Sequence, residues 1–272
     1  MLNETLAFIG GGNMARSLIG GLIAQGLSAK QITVSDPVES QRQQLAAQYG
    51  VNVTASNTEA SAAQIIVLAV KPQELRSVAL QMHDAVAKHR PLIISVAAGI
   101  RASDLQTWIG IPVVRTMPNR PALNGCGVTG MYASNDVPDS HRELAGRIMN
   151  AVGKSVWVEQ ETLIDAVTAV SGSGPAYFFL LMELLEAAGV EQGLPQSTAR
   201  TLAIETAYGA GMMAHAASDS PATLREQVTS KGGTTAAALQ VFESKKLRDI
   251  VSAAVKAAAD RSGEMAIMLG GQ

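Results

Sequence analysis

The chain has 272 residues, 16% of them charged, and a formal net charge of −2. This length allows two modest domains that each bury a core. A net charge so close to zero excludes the basic surface of a protein that binds nucleic acid or an anionic membrane, so we expect a small-molecule partner. The single cysteine, Cys126, excludes an internal disulfide and fits a reducing compartment. Because glycines surround it, we expect a buried thiol with no catalytic part.

The sequence predicts no targeting or membrane-spanning segment. Glu4 stands where a signal peptide would carry positive charge, and the apolar residues after it form the first predicted strand. The longest uncharged stretch, residues 166–182, is interrupted by Ser, Gly and Pro, which makes it a poor transmembrane candidate. We therefore expect a cytoplasmic protein.

The first recognisable unit is a strand, a tight turn and a helix. Four apolar residues, Leu6–Ile9, run into three glycines, and apolar residues at helical spacing begin at Met14. Gly10 permits the turn, Gly12 has no Cβ to hold off a pyrophosphate, and Ala15 lets the helix pack closely on the strand. The free N–H groups at the start of the helix would face the phosphates, which predicts a dinucleotide-binding turn.

Strands and helices then alternate as far as residue 158. This alternation predicts an α/β domain, a Rossmann-type doubly wound sheet that is mainly parallel. The strand at 65–70 is apolar throughout, as expected for a strand buried on both faces. The predicted strands after the first are 31–35, 51–53, 65–70, 92–96, 113–117, 127–133 and 154–158, and a helix is predicted at 139–152.

The end of the second strand leaves the identity of the dinucleotide open. Asp36 lies where an acid often binds the adenosine ribose of NAD, which would disfavour a 2′-phosphate. Ser35 could instead donate a hydrogen bond to that phosphate, and Arg42, one turn into the next helix, could reach it. The residues themselves thus allow both NAD and NADP.

Three consecutive strands end in loops that suit ligand binding. The first ends in Lys-Pro at 71–72, the second in Ala-Ala-Gly at 97–99, and the third in Pro-Asn-Arg-Pro at 118–121. Each loop alone is no more than a turn. Because parallel strands end together at the edge where doubly wound folds bind ligands, the repetition favours a site there.

From residue 161 onward the pattern is helical. Alanine-rich helices are predicted at 161–190, 196–217, 222–229, 234–243 and 245–268. We therefore expect a dinucleotide-binding domain at 1–159 and an all-helical domain at 160–272. Such helices each bury little apolar area, so we expect an obligate dimer, in which a second subunit covers one apolar face; the alternative is a monomer with this face in its own core. The face consists of Tyr177, Phe178, Leu181, Leu184 and Leu185.

Two glycine-rich stretches interrupt these helices, at 171–176 and 229–235. Glycine is costly within a helix, so we expect another group to approach the backbone there. The second stretch opens a helix, and the free N–H groups of Gly233, Thr234 and Thr235 would hold a carboxylate. Simple helix breaks are the alternative.

At these stretches the sequence resembles a known family. Residues 169–177 read AVSGSGPAY and are followed by the Gly-Gly-Thr-Thr loop, a combination similar to Δ1-pyrroline-5-carboxylate reductase, which catalyses the last step of proline biosynthesis. Motifs at 12–15 (GNMA), 69–72 (AVKP), 97–99 (AAG) and 115–119 (RTMPN) follow in the order of that family. The resemblance covers the whole chain. It implies an oxidoreductase with an N-terminal Rossmann domain, an all-α C-terminal dimerisation domain, and NADPH or NADH as hydride donor.

The resemblance also implies the residues of the site. Thr235 is the expected catalytic residue, with its hydroxyl at the ring nitrogen of the substrate. The expected substrate-binding residues are Glu161, Thr168, Ser230, Gly233, Thr234 and Thr235. The expected cofactor contacts are Gly10, Gly12, Asn13, Met14, Ala15, Ser35, Asn57, Val70, Lys71, Pro72, Ala97 and Asn119. Two positions depart from the family pattern: Lys231 replaces a usual proline, which makes the loop less rigid, and Arg120 replaces a frequent threonine.

The residue content agrees with reduction of an imine. When the imine nitrogen is already protonated, the C=N carbon is electrophilic and its reduction needs no strong general acid. The stretch from Glu161 to Gln192 holds no Lys, Arg or His that could act as the proton relay of a β-hydroxyacid dehydrogenase. The four histidines are scattered without metal-ligand spacing, so we expect no metal. A β-hydroxyacid-type dehydrogenase and a non-catalytic nucleotide-sensing protein are the competing functions.

Overall fold

The computed structural model describes residues 3–270, which form two compact units. The first unit contains the chain up to Gly172 together with the residues from Ala258 onward, and the second is Ser173–Ala257. This grouping follows contacts between residues, whereas the division expected at 159 follows the order of the chain. That division stays a prediction.

The first unit is built on one sheet of eight strands. They are β1 (Leu6–Ile9), β2 (Ile32–Ser35), β3 (Asn52–Thr54), β4 (Ile65–Leu68), β5 (Leu92–Ser95), β6 (Val113–Pro118), β7 (Gly127–Ala133) and β8 (Gly153–Trp157). Their order across the sheet is β3-β2-β1-β4-β5-β6-β7-β8. All neighbouring strands are parallel apart from β6 and β7, which are antiparallel. The predicted doubly wound, mainly parallel sheet is confirmed.

Helices cover both faces of this sheet. They are α1 (Asn13–Ala24), α2 (Glu39–Tyr49), α3 (Asn57–Ala60), α4 (Pro72–His89), α5 (Ala102–Ile109), α6 (Asp139–Met149) and α7 (Leu163–Val167). Alternate residues of β1 belong to different cores: Phe8 packs in one cluster with α1, and Ile9 in the other with α4. Every side chain of β1 and β4 is fully buried, which explains why neither strand alternates in polarity.

The C-terminal part of the chain is helical, as predicted. Its helices are α8 (Gly174–Glu191), α9 (Gln196–Ala216), α10 (Pro221–Gln227), α11 (Thr234–Ser244) and α12 (Leu247–Gly270). The segment predicted as helical at 161–190 consists of α7, a π-helical turn at Thr168–Gly172, and α8.

The end of α12 packs with the first unit. The hydroxyl of Ser262 donates a hydrogen bond to Oδ1 of Asp165 at 2.7 Å, and Leu269 packs against the core cluster that contains Ile9. Both Ser262 and Ala266 are buried. The last turns of this helix therefore stabilise the dinucleotide-binding fold rather than the helical unit.

The second unit leaves much of its apolar surface exposed. Phe178 on α8 is 64% exposed and Tyr208 on α9 is also 64% exposed, and Leu184 is 55% exposed. The segment Leu163–Glu191 is long and apolar enough to cross a membrane by length and composition alone, and 17% of its most apolar window is buried. The apolar face predicted on this segment is thus uncovered in a single copy of the chain.

Cys126 is exposed, so the prediction of a buried thiol is wrong. It follows Gly125, whose φ of +70° turns the chain at the surface before β7 begins. The Sγ atom of Cys126 lies 3.5 Å from the carbonyl oxygen of Asn124. Glycine neighbours here reflect a tight surface turn and not close packing.

Candidate active site

The turn between β1 and α1 has two glycines with different tasks. Gly10 has a φ of +97°, and a Cβ there would lie 2.7 Å from the carbonyl oxygen of Ala69. Both the backbone conformation and the lack of space therefore require glycine. At Gly12 a Cβ would meet no atom within 4 Å. Gly10 is required by the fold, whereas Gly12 leaves open space in front of α1.

The start of α1 suits a pyrophosphate. Gly12 is its N-cap, and no side chain in the described part of the chain caps this end. Its first N–H groups therefore remain available, with the positive end of the helix dipole behind them. Ala15 is fully buried, so the helix lies close to the sheet, and Asn13 is exposed at its first position. An anion bound here would satisfy donors that the protein leaves open.

Asp36 fixes this turn through hydrogen bonds that the sequence did not predict. The side chain is buried, and its Oδ2 accepts the N–H of Gly11 while its Oδ1 accepts the N–H of Val38, both at 2.9 Å. An acid at this position often binds the ribose of NAD, but here both carboxylate oxygens already accept backbone N–H groups. The bonds join the β1–α1 turn to the end of β2 and so pre-organise the turn.

A small polar network lies beside Asp36. The buried hydroxyl of Ser35 donates to Oδ1 of Asn57 at 2.7 Å, and Nδ2 of Asn57 donates to Gln81 at 3.0 Å. Nη1 of Arg42 donates to the carbonyl oxygens of residues 36 and 37 at 2.7 and 2.9 Å. The remaining guanidinium N–H groups of Arg42 have no hydrogen-bond acceptor among residues 3–270. A charged edge that could hold a phosphate is thus present at the end of β2.

The loops after β4 and β5 lie at the same edge of the sheet. Lys71 is the N-cap of α4, and Pro72 occupies its first turn. The carbonyl of Ala69 approaches Gly10, which brings Val70 next to the glycine turn. Ala97 is buried, and its N–H lies 3.3 Å from the hydroxyl of Ser95. The structure therefore brings the expected cofactor residues of β1, β4 and β5 to one edge.

Glu161 lies in the first unit and already has protein partners. Its Oε1 accepts from Nη1 of Arg115 at 2.8 Å and from the N–H of Ala102 at 2.6 Å. Arg115 is 3% exposed within β6, so its charge needs a buried partner. Ala102 opens α5, which has no cap from its own preceding side chain. Glu161 therefore links β6 and the start of α5 to the segment just before α7.

Asn119 and Thr168 are both connected to the π-helical turn at Thr168–Gly172. Nδ2 of Asn119 donates to the carbonyl of Ser171 at 3.1 Å. The hydroxyl of Thr168 donates to the carbonyl of Ile164 at 2.8 Å. The turn thus places Thr168 near the end of β6, where Asn119 follows the strand. The sequence showed the glycines of this turn but not its π-helical geometry.

The other expected substrate residues lie together in the second unit. Gly233 is the N-cap of α11 with extended backbone and, within the described range, no side-chain cap. Its N–H donates to the carbonyl of Ser230 at 3.0 Å, and a Cβ on Gly233 would collide with the Ser230 hydroxyl. The N–H groups of Thr234 and Thr235 therefore begin α11 without a partner from a capping side chain. Lys231 is exposed in the same loop.

Residues 3–270 contain no group of three or more His, Cys, Asp or Glu side chains arranged to hold an ion. The polar groups at the starts of α1 and α11 are backbone N–H groups, hydroxyls and amides. Groups of this kind suit binding of anions and of neutral or protonated nitrogen.

The sheet order and the glycine turn are those of a Rossmann-type dinucleotide-binding protein. Two family models match the chain, "pyrroline-5-carboxylate reductase dimerisation" at residues 161–265 and "NADP oxidoreductase coenzyme F420-dependent" at residues 5–99. The pyrroline-5-carboxylate reductase of Pseudomonas aeruginosa is 48% identical over 99% of this chain and 100% of its own length. The chain belongs to the pyrroline-5-carboxylate reductase family.

Solved structures agree with this membership. The pyrroline-5-carboxylate reductase of Coxiella burnetii has a TM-score of 0.94 and 38% identity, covering 97% of this chain and 99% of its own. The Plasmodium falciparum pyrroline carboxylate reductase, solved with NADP bound, has a TM-score of 0.84 and 29% identity, covering 98% and 99%. The predicted family, fold class and enzyme class are confirmed.

Proposed function

We propose that this chain reduces Δ1-pyrroline-5-carboxylate to L-proline by hydride transfer from NADPH. Family membership over the full length supports the reaction. The observation that carries the site assignment is the uncapped start of α11, where Gly233 leaves the N–H groups of Thr234 and Thr235 open to a carboxylate. The small cyclic acid that this family reduces carries one carboxylate and one imine nitrogen.

The cofactor site lies along the carboxyl edge of the sheet in this proposal. The pyrophosphate occupies the open space at Gly12 and accepts the first N–H groups of α1. Arg42 holds the 2′-phosphate, which favours NADPH over NADH, and the buried hydroxyl of Ser35 fixes the side chain of Asn57 beside the end of β2. The remaining contacts come from Gly10, Asn13, Met14, Ala15, Asn57, Val70, Lys71, Pro72 and Ala97.

The substrate site uses the loop before α11. The N–H groups of Thr234 and Thr235 hold the carboxylate, since the N–H of Gly233 already donates to the carbonyl of Ser230. The hydroxyl of Thr235 accepts a hydrogen bond from the protonated ring nitrogen. Ser230 adds a hydroxyl to this loop. In the first unit, Thr168 and Glu161 are the proposed substrate contacts. When bound, NADPH supplies a hydride from C4 of its nicotinamide to the C=N carbon, while the electron pair of the broken π bond stays on nitrogen as the lone pair of the amine.

Positioning is the main catalytic contribution of the protein. Since the nitrogen is protonated before reduction, no side chain has to deliver a proton, as one must to the alkoxide that forms when a carbonyl is reduced. Thr235 holds the ring in the orientation that presents the C=N carbon to the cofactor. Loss of that single hydrogen bond costs about 1–3 kcal/mol, which is roughly a ten- to hundredfold loss of rate.

The quaternary structure in this proposal is a homodimer. The segment with the exposed Phe178 and Leu184 lies within the region that matches the dimerisation model. A second copy would cover this apolar surface, which also accounts for a helix that is apolar enough for a membrane in a protein of this family. We place the protein in the cytoplasm, where a single exposed cysteine stays reduced.

Oxidation of NADPH tests the function directly. The purified protein is mixed with NADPH and, in parallel reactions, with pyrroline-5-carboxylate, a keto acid, or no second substrate, and loss of reduced nicotinamide absorbance is followed. Turnover with pyrroline-5-carboxylate alone, and formation of proline, are expected. Turnover with the keto acid alone would identify a hydroxyacid-type dehydrogenase. Cofactor binding without any turnover would identify a nucleotide sensor. The same reactions with NADH measure the cofactor preference.

A further inference from the structure

One carbonyl of the π-helical turn at Thr168–Gly172 has no partner within the helix. In an α-helix the carbonyl of Ser171 would accept the N–H four residues further on, but that residue is Pro175, which has no N–H. With π spacing the donor would be Ala176, whose N–H instead donates to Ser173 at 3.0 Å. A carbonyl in this position needs a donor from elsewhere in the protein.

Asn119 is that donor. Its Nδ2 lies 3.1 Å from the carbonyl oxygen of Ser171, and its Oδ1 accepts the N–H of Val128 at 2.9 Å. The two partners fix the orientation of the amide, because a backbone N–H must face the oxygen and a carbonyl must face the nitrogen. Asn119 is 8% exposed, so water does not readily replace either bond.

Close packing holds the same turn against the sheet. A Cβ on Gly172 would lie 2.7 Å from Cε of Met117 on β6, and a Cβ on Gly130 of β7 would collide with Val167. Gly172 of the turn therefore packs closely against β6, and Val167, the residue before the turn, packs closely against β7. Thr168 begins this turn, so its position depends on the π-helical register. A change of one residue in that register would rotate a side chain by roughly 100° about the helix axis.

We propose that Asn119 is a positioning residue: by satisfying the Ser171 carbonyl it holds the π-helical turn, and with it Thr168, in the arrangement that the substrate pocket requires. It acts through the turn and not through contact with the cofactor. The role given to Thr168 rests on the proposed function. The register of the turn itself does not, because it follows from Pro175, Ser171 and the asparagine amide.

The test uses two substitutions of Asn119 in the full-length protein. Asn119→Asp keeps an oxygen for the N–H of Val128 but turns a second oxygen toward the Ser171 carbonyl, whereas Asn119→Ala removes both bonds. Arg142→Ala is the control, because Arg142 also donates to backbone carbonyls, those of residues 133 and 134 at 3.0 and 2.7 Å, but has no part in the proposed site. For each variant we would measure kcat/KM for pyrroline-5-carboxylate, the Kd of NADPH, and amide hydrogen exchange.

For Asn119→Asp, kcat/KM for pyrroline-5-carboxylate should fall about tenfold or more. The Kd of NADPH should stay at the wild-type value. Hydrogen exchange should accelerate at residues 168–176 and not in β7, whereas Asn119→Ala should accelerate exchange in both. Arg142→Ala should lower the unfolding temperature and leave kcat/KM unchanged.

Two results for Asn119→Asp would overturn the inference. One is weaker NADPH binding with unchanged exchange at residues 168–176, which would make Asn119 a cofactor contact. The other is unchanged kcat/KM. If the wild-type protein does not reduce pyrroline-5-carboxylate, the proposed function fails, but exchange and NADPH binding in the variants still decide whether Asn119 holds the turn.

Discussion

The two glycines of the first turn should respond differently to the same substitution. At Gly10, alanine would place its Cβ 2.7 Å from the Ala69 carbonyl oxygen on a backbone with φ of +97°. A residue forced into such a conformation costs about 1–3 kcal/mol. Since each kcal/mol shifts the unfolding temperature of a domain this large by roughly 2–4 °C, Gly10→Ala should unfold about 2–12 °C lower.

Gly12→Ala should leave the free protein as stable as the wild type. Gly12 has φ of −70° and ψ of −175°, which alanine adopts without strain, and its Cβ would point into open space. The loss of glycine as an N-cap and the reduced freedom of the unfolded chain are each worth less than about 1 kcal/mol and oppose each other. The new methyl group would instead displace the pyrophosphate. Loss of one hydrogen bond to a charged group, about 1.5–3 kcal/mol, should raise the Kd of NADPH roughly 10- to 100-fold.

Thermal unfolding without cofactor and fluorescence titration with NADPH separate the two effects. Gly10→Ala should show the lower unfolding temperature, and Gly12→Ala the weaker binding at a wild-type unfolding temperature. Wild-type affinity for NADPH in Gly12→Ala would refute the placement of the pyrophosphate at this turn. A wild-type unfolding temperature in Gly10→Ala would refute the argument from strain.

Three further predictions concern the cofactor, the dimer and acid stability. Arg42→Ala should raise KM for NADPH about tenfold and leave KM for NADH unchanged, because the 2′-phosphate, which NADH lacks, is the only cofactor group that Arg42 is proposed to contact. Equal changes for both cofactors would contradict this. Phe178→Glu should convert the dimer to monomers in analytical ultracentrifugation, since a charge would be buried in the proposed interface; an unchanged dimer would place the interface elsewhere. The hydrogen bond from Arg200 holds the pKa of Glu186 below its ordinary value, so this pair stabilises the fold above the unfolded pKa and stops doing so as the pH falls through the depressed one. Glu186→Gln should therefore unfold at a lower temperature than the wild type at neutral pH but not in acid, and a pH-independent difference would exclude this ion pair as the cause.

Features that depend on neighbouring residues could be predicted from the sequence. The apolar run Ile65–Leu68 forms a central strand, and the first turn follows from Leu6–Ile9 and the glycines after it. The open start of α11 likewise follows from Gly233 and the two threonines after it. In each case the signal lies within a few residues, where spacing and the absence of a Cβ determine the local structure.

Features that depend on distant pairs could not be predicted in this way. The Arg115–Glu161 pair spans 46 residues, and the bond from Asn119 to Ser171 spans 52. The sequence left the role of Asp36 open, because nothing in its neighbours indicates that its carboxylate accepts the N–H of Gly11. The hydrogen bond from Ser262 of α12 to Asp165 joins residues that are 97 positions apart. Arg115 was the one local indication of such a pair, because a buried charge in a strand requires a partner of opposite charge.

Steady-state kinetics of Thr235 variants test the central claim most directly, which is that the start of α11 holds the ring of the substrate. Thr235→Ala should lower kcat/KM for pyrroline-5-carboxylate about tenfold or more, whereas Thr235→Ser, which keeps the hydroxyl, should retain most of the activity. The Kd of NADPH and the unfolding temperature should match the wild type in both variants. Unchanged kinetics in Thr235→Ala would contradict the account and remove Thr235 from the mechanism.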